Sequence, residues 1–175
     1  MKKTVITYGL LAGLLILGLG YATRSFWITP DGKMDMGKGE LVGYINMIVS
    51  LSMIFFGIRQ YRNRHLEGKI TFKKAFWVGF QIALIGSLIY VAGWMLYLQT
   101  SEIAQTFPEQ YLAYMKESWV KEGKTTEEIS KLTSQYASNM ELFENPFLRA
   151  LLTLFEILPI ATIIAMISAF ILKRK

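Results

Sequence analysis

Residues 75–101 read AFWVGFQIALIGSLIYVAGWMLYLQTS, twenty-seven consecutive positions without a charge. A bilayer core about 30 Å thick is crossed by roughly 20 apolar residues in a helix rising 1.5 Å per residue, so this stretch spans it with margin. Apolar and polar positions do not alternate, which excludes a half-buried strand. In lipid every backbone donor and acceptor must find a partner within the protein, and a helix does this inside one segment. Trp77, Trp94 and Tyr97 stand near the ends, where amphipathic rings prefer the interface.

Outward from this run, three others have the same character. Residues 4–23 and 41–58 carry no charge, and residues 150–172 carry only Glu156. Transmembrane helices are therefore expected at about 4–23, 41–58, 75–98 and 150–172, in one membrane domain over 1–175. Tyr21 and Trp27, then Tyr44 and Tyr61, mark the ends of the first two. The fold class expected is all-α, an integral membrane four-helix bundle. An apolar fraction of 53% and a mean hydropathy of +0.34 exceed what a soluble domain usually carries.

Charge sets the orientation. Lys2 and Lys3, then Arg59, Arg62, Arg64, Lys69, Lys73 and Lys74, then Lys173, Arg174 and Lys175 place eleven basic residues on one side. Glu67 is the one acid among them, whereas the other two links hold eleven acids. Short basic flanks resist translocation, so both termini are expected in the cytoplasm of a bacterial inner membrane. Lys2, Lys3, the apolar core and the small pair Gly20 and Ala22 also resemble a signal peptide. The core is long for that role, so retention is expected.

The net charge of +6 lies beside apolar runs instead of forming one surface, which points to the bilayer and anionic lipid headgroups and not to nucleic acid. Arg59, Arg62, Arg64, Lys69, Lys73 and Lys74 are the candidate headgroup contacts, although orientation alone accounts for the same charges. With no cysteine and only His65, neither a disulfide nor a histidine-rich or thiolate metal site is available, and no cofactor is expected. Phosphate-loop, metalloprotease and nucleophile-elbow motifs are missing.

The polar stretch at about 102–147 is too long and too patterned for a plain linker. Pro108, Tyr111, Leu112, Met115 and Trp119 suit a helix that starts at Pro108 and stops near Gly123. Thr125 and Glu128 form a capping box for a second helix with Ile129, Leu132, Tyr136 and Met140 on its apolar face. An extracytoplasmic helical hairpin between helices 3 and 4 is expected, as a lid on the bundle more than as a binding domain.

Small residues allow close helix approach in membranes. Gly79, Ala83, Gly86, Tyr90 and Gly93 alternate spacings of four and three along the third span. Gly43, Met47, Ser50, Ile54 and Gly57 do so in the second, Gly9 and Gly13 in the first, and Ala161, Ala165 and Ala169 in the fourth. These read as packing seams.

Glu156 is the residue on which chemistry would turn. It stands about two turns inside the expected outer end of the fourth helix, and charges at such depth commonly mark ion paths, proton relays or substrate contacts. Pro159 removes a backbone bond three residues on. Depth matching offers Asn46, Ser50, Ser87 and Tyr90 as partners. The plainer reading is a protonated acid bonded to such neighbours, or a side chain reaching toward Thr153 and water.

The run Ser50-Leu-Ser-Met-Ile-Phe-Phe-Gly-Ile-Arg-Gln-Tyr-Arg62 resembles a signature of the bacterial family called domain of unknown function 4199. Gly68-Lys-Ile-Thr-Phe72 with Ala75 and Phe76, and Asn145-Pro-Phe147, resemble that family's entries to its third and fourth helices. Asn63 and Lys73 depart from it, standing where an aspartate and a glycine are frequent. The resemblance covers nearly the whole chain and implies small four-helix membrane proteins, with no assigned activity and no catalytic residues to carry over.

Three functions fit. A non-enzymatic protein that assembles with itself or with another membrane protein requires nothing the sequence lacks. A small transporter or channel subunit would use Glu156 with Asn46 and Tyr90. An intramembrane enzyme acting on lipid needs two convergent groups, and only one carboxylate is at hand.

Overall fold

The computed structural model describes residues 1–174, and side chains for all of these but 141–144; Lys175 of the basic tail lies outside the described residues. Eight α-helices follow one another: α1 Lys2–Ala22, α2 Met36–Leu51, α3 Met53–His65, α4 Phe72–Thr100, α5 Glu102–Gln105, α6 Phe107–Lys121, α7 Thr126–Glu144 and α8 Pro146–Leu172. Four stretches are long and apolar enough to cross a membrane: Lys2–Ala22, Met36–His65, Phe72–Thr100 and Pro146–Leu172.

The second of these stretches is not one regular helix. It breaks between α2 and α3 at Ser52, whose hydroxyl donates to the Val49 carbonyl at 2.6 Å while its own carbonyl accepts from Phe55 N–H at 3.0 Å in the tighter i to i+3 pattern. A serine that bonds back to the preceding turn competes with the regular ladder and bends the helix. The run of apolar residues hides this, because Ser52 interrupts no hydrophobic count.

Helix starts have local causes. Asp35 accepts from Lys38 N–H at 3.0 Å to cap α2, and Thr71 accepts from Lys74 N–H at 3.4 Å to cap α4. Asn145 accepts from Phe147 and Leu148 N–H at the start of α8, where Pro146 gives up no needed donor. Gly123, at φ +77°, ends α6 in the left-handed conformation a glycine adopts without strain. Thr125 and Glu128 make the reciprocal bonds of a capping box, Thr125 N–H to Glu128 at 2.8 Å and Glu128 N–H to Thr125 at 3.3 Å.

In the bundle α4 is central, packed against α1 on one side and α8 on the other, with α3 touching all three. Ile54, Ile58, Ile82, Ile157, Ala75, Ala83, Ala161, Ala165 and Ala169 have no exposed surface. The glycines show how close the helices come. A Cβ on Gly9 would stand 2.6 Å from Ile85 Cβ, and one on Gly13 2.5 Å from Ile89 Cβ, so α1 and α4 meet through the absence of those atoms. Gly86 lies on Ala12, Gly93 on Leu17, Gly79 on Ile58 and Ala165, and Gly57 on Ile82 and Tyr8. Gly43 differs from the seam expected of it, since a Cβ there would meet nothing within 4 Å. The stripe is buried at Met47, Ser50, Ile54 and Gly57 but emerges at Gly43, among the exposed Leu41, Tyr44 and Ile45.

The two ends of the bundle are tied differently. At the basic end, Ile70 and Arg174 exchange both backbone bonds at 2.9 Å, linking the start of α4 to the end of α8. At the other end α6 and α7 lie together, Tyr136 Oη donating to Pro108 O at 2.9 Å. A ring series from Trp94 through Phe107 and Tyr111 to Tyr136 joins α4, α6 and α7.

Candidate functional site

The structure places the polar residues of the spans in three separate settings. Glu156 lies on α8 with its side chain exposed at the bundle surface, between the exposed Phe155 and the fully buried Ile157. One helical position is 100° of rotation, so a carboxyl next to a core isoleucine need not share its face. Tyr90, one of the depth-matched partners, lies within electrostatic reach of Glu156. Tyr111 of α6 feels it too. Burial pushes the Tyr111 phenol up, and the Glu40 carboxylate, then Tyr114, Glu156 and Tyr44, add to that.

Asn46 is engaged elsewhere. It is buried, and its Nδ2 donates to Thr23 Oγ1 at 2.8 Å, tying α2 to the end of α1. Ser50 and Ser87 have no exposed surface, and their hydroxyls have no hydrogen-bond partner among the described residues. A buried hydroxyl without a partner is unfavourable, so these two oxygens are an energetic cost in the core instead of a polar path leading to Glu156. Thr153 spends its hydroxyl on Arg149 O at 3.0 Å.

The six basic candidates also separate. Arg62 is buried; its Nε donates to Asn63 Oδ1 at 2.9 Å and its Nη1 to Leu172 O at 3.1 Å. Leu172 ends α8, so the guanidinium satisfies a carbonyl that has no partner within the helix, at the end where the helix dipole favours a cation. Arg62 is a structural clamp. Arg59 and Arg64 are exposed and line a groove of about 300 Å³ with Tyr8, Phe56, Gln60 and Asn63. Lys69, Lys73 and Lys74 are exposed around the start of α4. His65 stacks at a tilt on Tyr61, with ring centroids 5.3 Å apart.

One constellation has no signature in the sequence. Gln110 of α6 accepts from Met34 N–H at 2.8 Å and donates to Gly32 O at 3.1 Å and Thr106 Oγ1 at 2.9 Å. It clamps α6 onto the turn between α1 and α2, where Ile28 and Met34 pair as an isolated bridge. A glutamine in a polar helix gives no local signal of a partner 76 residues away. Among the described residues no group of three or more histidines, cysteines or carboxylates could hold a metal ion.

No curated protein and no solved structure matches the chain. The model of a family described as protein of unknown function (DUF4199) matches residues 7–174, nearly the whole length. Four membrane-length helices and a match of that extent together assign the chain: it belongs to the DUF4199 family of proteins of unknown function.

Proposed function

We propose that this chain is a non-enzymatic protein of a bacterial cytoplasmic membrane that acts by assembly with itself or with a second membrane protein. Its termini lie in the cytoplasm and α5–α7 lie outside. The observation that carries the reading is Glu156, a carboxyl exposed on the outside of the bundle within a membrane-length helix. An ionisable side chain facing hydrocarbon is costly, about 2.5–3.5 kcal/mol at the centre of a span on insertion scales and less toward its ends. A neighbouring helix that covers Glu156 and donates to it removes that cost. The exposed Phe155 beside it gives such a helix apolar area.

Transport and lipid chemistry both call for polar groups that converge inside the bundle. Here Asn46 is committed to Thr23, and the centre is occupied by Ile54, Ile82, Ile157 and Ala161. The orientation rests on the eleven basic residues gathered at one end. The test is a photo-crosslinking residue at Phe155, compared with one at Ile167, which is also exposed on α8 but farther toward the basic end. Protein adducts, to a second copy or to another chain, are expected at 155 well above 167. Lipid adducts alone at both positions would refute assembly through this face.

A further inference from the structure

Arg59 and Arg64 form no ion pair and no hydrogen bond among the described residues, although they share one groove. Among the described residues the ion pairs lie elsewhere, Asp31 with Lys33, Asp35 with Lys38 and Glu122 with Lys124. Phe56, Arg59, Gln60, Asn63 and Arg64 follow one another at spacings of three, one, three and one, a single face of α3. Tyr8 of α1 closes the other side, and it reaches α3 because Gly57 has no Cβ to hold it off. Arg64 stands eight residues beyond Phe56, so the groove runs about 12 Å along the helix, from an exposed aromatic ring to two free guanidinium groups.

We propose that this groove binds one anionic phospholipid. The acyl chain lies along Phe56 and the phosphate sits between Arg59 and Arg64, where planar guanidinium groups can each donate two hydrogen bonds. Asn63 is oriented for this. Its Oδ1 already accepts from Arg62 Nε, which leaves its amide N–H groups to donate to the phosphate or its headgroup. Arg62 is a positioning residue for Asn63, and Gln60 and Tyr8 supply further donors at the rim. The occupant is a lipid and not a soluble anion, because the groove begins at the exposed ring of Phe56 in a membrane-length helix. The site does not depend on assembly through Glu156.

The purified full chain in mild detergent, given equal amounts of phosphatidylglycerol and phosphatidylcholine with identical acyl chains, should retain one phosphatidylglycerol in native mass spectrometry. Two basic contacts give a preference of roughly 30-fold. R59Q/R64Q should abolish it, while K73Q/K74Q, which removes the same charge from the same end, should keep it. Equal loss in both double variants means diffuse attraction and overturns the site. Displacement of the lipid by inorganic phosphate alone means a free-anion site and overturns the assignment. Should R59Q/R64Q not extract as folded protein, R59K/R64K, expected to retain the lipid, and single R59Q, expected to weaken it, read the same ratio. No difference between R59Q and wild type overturns the proposal.

Discussion

Adding one methyl group to Gly13 tests the α1–α4 contact quantitatively. In Gly13→Ala the new Cβ would stand 2.5 Å from Ile89 Cβ, 2.7 Å from its Cγ2 and 3.0 Å from its Cδ1. Carbon atoms rest at about 3.5–4.0 Å, so roughly 1 Å must be recovered. Ile89 Cβ is fixed to the α4 backbone, so no rotamer change moves it and the helices must separate. Overpacking of this kind costs about 1–3 kcal/mol, against a helix-propensity gain of about 1 kcal/mol for alanine over glycine. Gly93→Ala meets Leu17 at Cδ2, Cδ1 and Cγ, side-chain atoms that a rotamer change can move, and should lose less. Gly18→Ala meets nothing within 4 Å and should be neutral or slightly stabilising. Reversible unfolding in mixed micelles of mild and denaturing detergent should rank the variants in that order, with Gly13→Ala about 1–3 kcal/mol below Gly18→Ala. Equal stability of the two would refute the close seam.

Ser50→Ala and Ser87→Ala each remove a buried hydroxyl that has no partner, so both should match or exceed wild-type stability in the same unfolding assay; a loss above about 1 kcal/mol would mean the hydroxyl is bonded after all. Gln110→Ala breaks the two hydrogen bonds that hold the turn, to Met34 and Gly32, at about 1 kcal/mol each, and the Met34 amide should then exchange with solvent roughly 30-fold faster, whereas unchanged exchange would dismiss the clamp. The Thr125 backbone N–H and hydroxyl hold the Glu128 carboxyl below its ordinary 4.5, and bonds from Lys38 hold Asp35 below 3.8. A lowered native pKa adds stability that is complete above the ordinary value and is lost as pH falls through the native one. The starts of α7 and α2 should therefore fray below about pH 4, read as amide chemical shifts of Glu128 and Lys38, and flat shifts from about pH 6 to about pH 3 would contradict it.

What could be read from sequence follows the range of the interaction. A span is a property of twenty neighbours, and a capping box such as Thr125 with Glu128 is a property of four, so local patterns carry both. Close approach at Gly9, Gly13, Gly57, Gly79, Gly86 and Gly93 follows from small residues at helical spacing. The divergence that leaves Gly43 open depends on where α2 leaves the bundle, which its own residues do not encode. The break at Ser52 comes from one hydroxyl choosing a carbonyl three residues back, and any serine in a span has that option. Arg62 and its neighbours Arg59 and Arg64 are alike in composition, yet one is buried on Leu172 and the others line a groove. Helical phase distinguishes them once the core face of Ile54, Ile58 and Tyr61 is known. Glu156 is the hardest to read, because whether a carboxyl in a span faces inward depends on which neighbours surround α8.

Which end of the bundle faces the cytoplasm decides the side on which the Arg59–Arg64 groove and helices α5–α7 work. The chain has no cysteine, so single cysteines placed at Ser101 and Arg64 report on it without background. With a membrane-impermeant maleimide applied to right-side-out vesicles, Ser101→Cys should label at once and Arg64→Cys only after the membrane is opened. Label reaching position 64 in sealed vesicles would contradict the orientation, and with it the assignment of α5–α7 to the outer side.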